Sequence, residues 1–504
     1  MNAASRIFLF VSLVSVSVHG QLPTASHRLE RFFDSFDRDP ARTMDLLPPK
    51  YDSHGRLLKG SSQFSPDETA DRSYVLIKEQ VRQDHFSGRK ILAEINPSND
   101  YLSFLEKSKL DSIDQLAVAS LDSGSSENIP WSGEYWATYR GGVAARYAAA
   151  DFPESGSWKD YEKFFQDITR TDYLDPQIIP DLSPAEKYDL LIGDKNMGLT
   201  NWSIQTSKFS VDGKGEIETW FGLCHGWAPA AFMMARPEHA IEVPSADGVA
   251  IKFYPDDIKA LSSLLWANSR FKNHFVGGRC SEKNPTKDPQ GRILRGECWD
   301  VNPATFHLIV LNHLGVDRKS LVMDANFDYE VWNQPLVKYQ VHYFNPQDRK
   351  ATDSIVAAKI PLQNFSADKF GKYRSSQAKF VVGVIMDLTY TVEKRASHTE
   401  VNSPSDDFQR TVQYIYDLEI DNSGKIIGGE WYQNAHPDFL WAPADGAVAQ
   451  IPSETLISTE WDGNGPVPED LRQLGLRTAK KGFLVNKILQ GLNKKASSTP
   501  LKVN

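Results

Sequence analysis

The sequence predicts an α+β fold, on three observations. Helix-start motifs concentrate between residues 183 and 268, and a series of β-rich runs follows Cys298. A chain of 504 residues that is 40% hydrophobic and 11% aromatic can also bury a large core. The length suggests two to four structural units.

Taken in order, the first segment is a leader pattern. A head with one positive charge at Arg6 precedes the apolar run Ile7–Val18, and the small residue Gly20 marks a cut, so residues 1–20 read as a signal peptide. A membrane anchor needs about 20 apolar residues, and neither this run nor a later one reaches that length. A secreted protein without a membrane span is expected. Residues 21–125 are polar and mixed in charge, an N-terminal or propeptide region, and "LDSGSSENIP" (Leu121–Pro130) reads as a linker or surface loop. Residues 126–455 then form the domain expected to carry the chemistry. Residues 456–504 are a C-terminal extension whose polar tail is expected to be disordered.

Within the main domain, "DLSPAEKYDLLIGD" starts a helix: Ser183 as the cap, Pro184 at the first helical position, Glu186 three residues after the cap. "YPDDIKALSSLLWANSRF" spaces Ile258, Leu261, Leu264 and Leu265 at helical period after an acidic first turn. After Cys298, "FHLIVLNHL" and "SLVMDANF" read as two strands joined by a turn at "GVDRK". "FVVGVIMDLTYTV", "TVQYIYDLEI", a turn at "DNSGK" and "IIGGEW" extend the antiparallel series.

The formal net charge is -9 and no dense Lys/Arg block appears, so nucleic-acid binding is excluded. In an oxidising compartment paired cysteines tend to be disulfides. Cys280 and Cys298 flank a polar loop, and a disulfide closing it would stabilise it by about 3 kcal/mol. Cys224 is then the unpaired one of three. The sequons at Asn201 and Asn364 fit secretion as glycosylation candidates. Among classical motifs, Cys-x-x-Cys, His-Glu-x-x-His, the EF-type calcium loop and phosphate-cradling glycine loops are all missing.

Cys224 opens the apolar stretch "CHGWAPAAFMM" just after Gly222, and Pro229 requires the helix to begin within a residue or two of it. The positive end of a helix stabilises a thiolate, whose unperturbed pKa is about 8.5. A base and an orienter are then needed. His307, opening one expected strand, and Asp324, inside the next, supply them; order and types match the papain-like core in its transglutaminase order, Cys-His-Asp. His225 points away from its neighbour, His313 lies nearer the turn, and Asp328 is a substitute for Asp324. The second oxyanion donor is open among Trp220, Trp202 and Gln205, and Trp227 is a candidate for excluding water. Packing alone is the competing explanation for a small buried Cys224 and a core His307.

The segment "YEVWNQPLVKYQVHYF" carries a resemblance. Val331, Trp332, Asn333, Gln334 and Pro335 resemble the start of the surface peptide of the oomycete transglutaminase elicitors, and "SPAEKYDLL", "FGLCHGWAPAA" and "GGEWYQNAHPDFLW" share the likeness. The resemblance runs from about Trp131 to about Pro452. It implies a secreted, wall-associated, calcium-stimulated protein-glutamine γ-glutamyltransferase with Cys224 as nucleophile. Its partners would be proteins bearing glutamine and lysine, and a plant surface receptor that reads the peptide. A secreted cysteine protease or amidase, or a non-catalytic wall or recognition protein, are the alternatives on the same scaffold.

Overall fold

The computed structural model describes residues 24–58, 110–167, 175–278, 285–294, 298, 300–325 and 330–497. The leader, the tail beyond 497 and Cys280 lie outside them. An eleven-stranded antiparallel sheet organises the molecule. Its main path begins at β1 (Lys50–Asp52) and passes to β11 (Phe408–Ile420), β10 (Phe380–Val392) and β7 (Asn333–Phe344). It continues through β6 (Val322–Asp324) and β13 (Phe439–Pro443) to end at β5 (Asn273–Gly277). Short strands β2 (Ser123–Ser125), β8 (Ala351–Thr352), β9 (Ile360–Pro361) and β12 (Ile426–Gly428) join at the flanks. β3 (Ile241–Pro244) and β4 (Ala250–Phe253) form a separate hairpin.

Helices cover both faces. Successive strand residues point to opposite sides, so Val322 and Trp441 enter one apolar core while Met323 and Leu440 enter another. The first core holds the helices Pro184–Ile192, Cys224–Met233 and Pro255–Asn268. The expected capping box is present: Glu186 N–H donates to Ser183 Oγ at 3.2 Å, and Ser183 N–H to Glu186 Oε2 at 2.8 Å. Gly193 ends that helix at φ 71°, a left-handed geometry that glycine adopts without strain. The helices Glu469–Thr478 and Asn486–Ala496 also place Leu471, Leu474, Ile488, Leu489 and Leu492 in this core. Much of the expected C-terminal extension is thus part of the main body.

Two other expectations change. "FHLIVLNHL" is not a strand. Asn302 caps a helix at Pro303–Ile309, its Oδ1 accepting the Ala304 N–H at 2.9 Å, and the chain continues as a π-helix through Val316. From Pro303 to Leu314 it packs on the second face, buried on all sides, so it shows no polar stripe. The Leu121–Pro130 segment is not a free linker either: Ser123–Ser125 pair with β7.

The described part of the N-terminal region is docked on the sheet. The helix Ala25–Arg38 lays Phe33 and Phe36 against Phe344, Phe370 and Tyr432, forming a third core. Arg28 Nη1 donates to both carboxylate oxygens of Asp387, at 2.7 and 2.8 Å, and β1 then pairs with β11. Among the described residues no helix is long and apolar enough to cross a membrane.

Candidate active site around Cys224

Cys224 is the first residue of the helix Cys224–Met233, and no side chain caps that end. Apart from half-buried His225 the helix is apolar, because it is buried between the sheet and the helix Pro255–Asn268. Gly226 permits the approach: a Cβ there would meet Ser263 O at 2.1 Å. The segment entering the helix is fixed by Tyr135, whose carbonyl accepts the Leu223 N–H at 2.6 Å and whose hydroxyl donates to Thr219 O at 2.6 Å.

Cys224 is the free cysteine among the described residues and is 5% exposed. Its Sγ donates to Val331 O at 3.6 Å and accepts from Asn333 Nδ2 at 3.6 Å. Asn333 Oδ1 in turn accepts the Trp441 Nε1–H at 2.8 Å, which holds the amide in place. Burial pushes the thiol up to about 12; the Asn333 backbone and side-chain hydrogen bonds oppose the rise, and the Glu393 and Asp324 carboxylates add to it.

Asp324 is fully buried at the end of β6, directly opposite Asn333 in the β6–β7 register, so the two share a face. Asp324 Oδ1 accepts the Trp332 N–H at 2.9 Å. Beside them Gln334 Nε2 donates to both oxygens of Glu393, at 2.8 and 2.9 Å. Burial raises the Glu393 carboxyl to about 7, with the Gln334 bond pulling against it.

His307 is not brought to this group. It sits on the Pro303–Ile309 helix, over the opposite face of the sheet. Its Nδ1 is 2.9 Å from Tyr416 Oη, and its ring packs on Tyr343 and Tyr416. Burial alone depresses it to about 3, so it is a neutral core imidazole. The expected Cys-His-Asp set therefore assembles only at Cys224 and Asp324. His313, expected near solvent, is buried, with Nε2 3.3 Å from Ser320 O. His225 is half-buried on the Cys224 helix, and Asp328 lies outside the described residues.

The pentapeptide is corrected as well. Trp332, Asn333, Gln334 and Pro335 are buried and only Val331 is half-buried, because the segment enters a central strand covered on both faces. It forms a wall of the site rather than a surface. Of the oxyanion candidates, Gln205 is exposed, Trp202 packs beside Gly482, and the Trp220 Nε1–H donates to Glu218. Trp227 is wholly buried in the first core. Asn333, the amide touching the sulfur, was not singled out from sequence as a chemical group; an isolated asparagine carries no spacing signal.

Cys280 lies outside the described residues, so its pairing with buried Cys298 is not described. Asn364 is exposed, and Asn201 Nδ2 donates to Asn196 O at 2.8 Å. Among the described residues no three His, Cys, Asp or Glu side chains come together to hold a metal ion, so calcium remains an expectation of the resemblance and no step is routed through it.

The sequence model of the transglutaminase elicitors matches residues 103–458, more than half of the chain. The chain belongs to the transglutaminase elicitor family. The crystal structure of the GP42 transglutaminase from Phytophthora sojae is similar over 79% of this chain and 98% of that chain, at 23% identity and a TM-score of 0.49. Among curated proteins none matches. The family match takes in Cys224, Asp324 and the buried pentapeptide, while the helix Ala25–Arg38 lies outside it.

Proposed function

We propose that this elicitor-family chain is a secreted protein-glutamine γ-glutamyltransferase that works through a Cys224 thioester, cross-links cell-wall proteins and acts as a plant defence elicitor. The observation that carries the reading is a free thiol at the first residue of an apolar helix, held by Asn333 inside the pentapeptide strand. The Cys224 sulfur attacks the carboxamide carbon of a protein glutamine, the C–N bond breaks, and ammonia leaves. A lysine amine then attacks the thioester; the new C–N bond forms, the C–S bond breaks, and the thiol is regenerated. The Cys224 backbone N–H, at the positive end of its helix, is suited to meet the oxyanion. Asp324 and Glu393 are carboxylates whose charge already reaches the sulfur, so they are the candidates for taking its proton and giving it to the departing ammonia. The papain-like ordering of the core belongs to this proposal.

Burial of the thiol and the remote place of His307 favour a second reading, a non-catalytic recognition protein on the same scaffold. Incorporation of a labelled amine into a glutamine-bearing protein, with and without calcium, separates the two. The wild type is expected to incorporate the amine and Cys224→Ala to lose at least about a thousandfold of that rate. Incorporation that survives Cys224→Ala removes the nucleophile. Peptide cleavage or ammonia release without amine joining would indicate a protease or amidase instead.

A further inference from the structure

The two segments that flank the thiol carry the same short pattern, Glu-x-Trp. Glu218-Thr219-Trp220 lies just before the Cys224 helix, and Glu330-Val331-Trp332 supplies the carbonyl that the sulfur meets. In each, the indole Nε1–H donates to the carboxylate two residues earlier; at Glu330 the distance is 2.8 Å. Tyr135 joins the two, its hydroxyl bonded to Thr219 O and its ring centroid 5.4 Å from that of Trp332. Glu218 is only 5% exposed, yet its Oε1 has no hydrogen-bond partner. An orphaned carboxylate oxygen at that depth is costly and calls for a donor from outside.

We propose that Glu218 and Glu330 form the subsite that receives the acyl acceptor as a primary ammonium, with Trp220 and Trp332 as its walls. The inference rests on the acyltransferase reading above and names the residues that select its second substrate. A lysine ammonium brings three N–H donors and one positive charge, which suits the unfilled Glu218 oxygen, where the Glu330 charge is also felt. Burial first, and then the charges of Glu330 and Asp212, raise the Glu218 carboxyl to about 7, so a cation relieves a repulsion already present. A calcium ion fits less well, since it takes six to eight oxygens. In the transfer, the docked ammonium gives one proton to the Glu218 carboxylate. The amine attacks the thioester carbonyl, the C–N bond forms and the C–S bond breaks. The departing sulfur takes the second amine proton, and Glu218 returns its proton to solvent.

The test compares two amines with one glutamine protein: cadaverine, cationic at neutral pH, and hydroxylamine, neutral there. Glu218→Gln with Glu330→Gln keeps an acceptor for each indole and removes both charges. The double variant is expected to lower the cadaverine-to-hydroxylamine ratio of kcat/KM by roughly tenfold or more, and the Glu→Asp pair to restore most of it. A ratio unchanged within about twofold overturns the subsite, as does a matched fall for both amines. If the wild type transfers to neither amine, the acyltransferase reading fails on its own. The subsite is then judged by calorimetry with cadaverine. Saturable binding that weakens roughly tenfold in the double variant upholds it; no saturable binding to the wild type overturns it.

Discussion

Burial above all sets how firmly Cys224 keeps its proton, and the Asp324 charge adds to it. The thiol is raised to about 12, whereas in the unfolded chain it ionises near its ordinary value of about 8.5. The protonated form is thus favoured by folding. Its stabilisation is complete below about pH 8.5 and is lost as pH climbs toward 12. Iodoacetamide labelling of Cys224 at pH of about 9 should be slower in the native protein than in the denatured one. Because the Asp324 carboxylate adds to the rise, Asp324→Asn should lower the thiol pKa and speed native labelling at fixed pH. An unchanged labelling rate would remove Asp324 from the sulfur's electrostatic surroundings. At this scale the sequence made Cys224 legible through its place before an apolar run, and Asp324 through its place inside a short strand. Asn333 was not legible, because its role comes from a contact 109 residues away along the chain.

The helix that presents the thiol depends on one close approach. Gly226→Ala would drive a methyl group into Ser263 O and Ala267, forcing the Cys224–Met233 and Pro255–Asn268 helices apart. The expected cost is about 2–3 kcal/mol, read as a lower urea midpoint. A midpoint within experimental error of the wild type would mean the two helices do not pack this tightly. Elements with a capping box or a β-branched run were legible: Ser183 and Glu186 marked one helix, and Phe380–Val392 is a single strand from end to end. The Pro303–Ile309 helix was misread because burial on every side removes the polar stripe that reveals a helical period. Asn302 followed by Pro303, a cap and a first-turn proline, was the available cue.

Across the whole molecule, a buried ion pair helps to join the described N-terminal segment to the sheet. Arg28 and Asp387 are 7% and 6% exposed, and Gln413 Nε2 also donates to Asp387 Oδ1, at 2.9 Å. Asp387→Ala would leave a buried guanidinium without a counter-charge, at about 3–5 kcal/mol. Faster proteolytic loss of the segment carrying Ala25–Arg38 is expected, and a cleavage rate equal to that of the wild type would count against the docking. The polar composition of residues 21–125 concealed this attachment, since a few aromatic residues, an arginine and the three-residue strand β1 make it. The burial of Trp332–Pro335 in a central strand has a practical corollary. An antibody raised against the isolated pentapeptide would have to peel β7 from its neighbours to bind, so it would ignore the native protein and report on its unfolding or breakage.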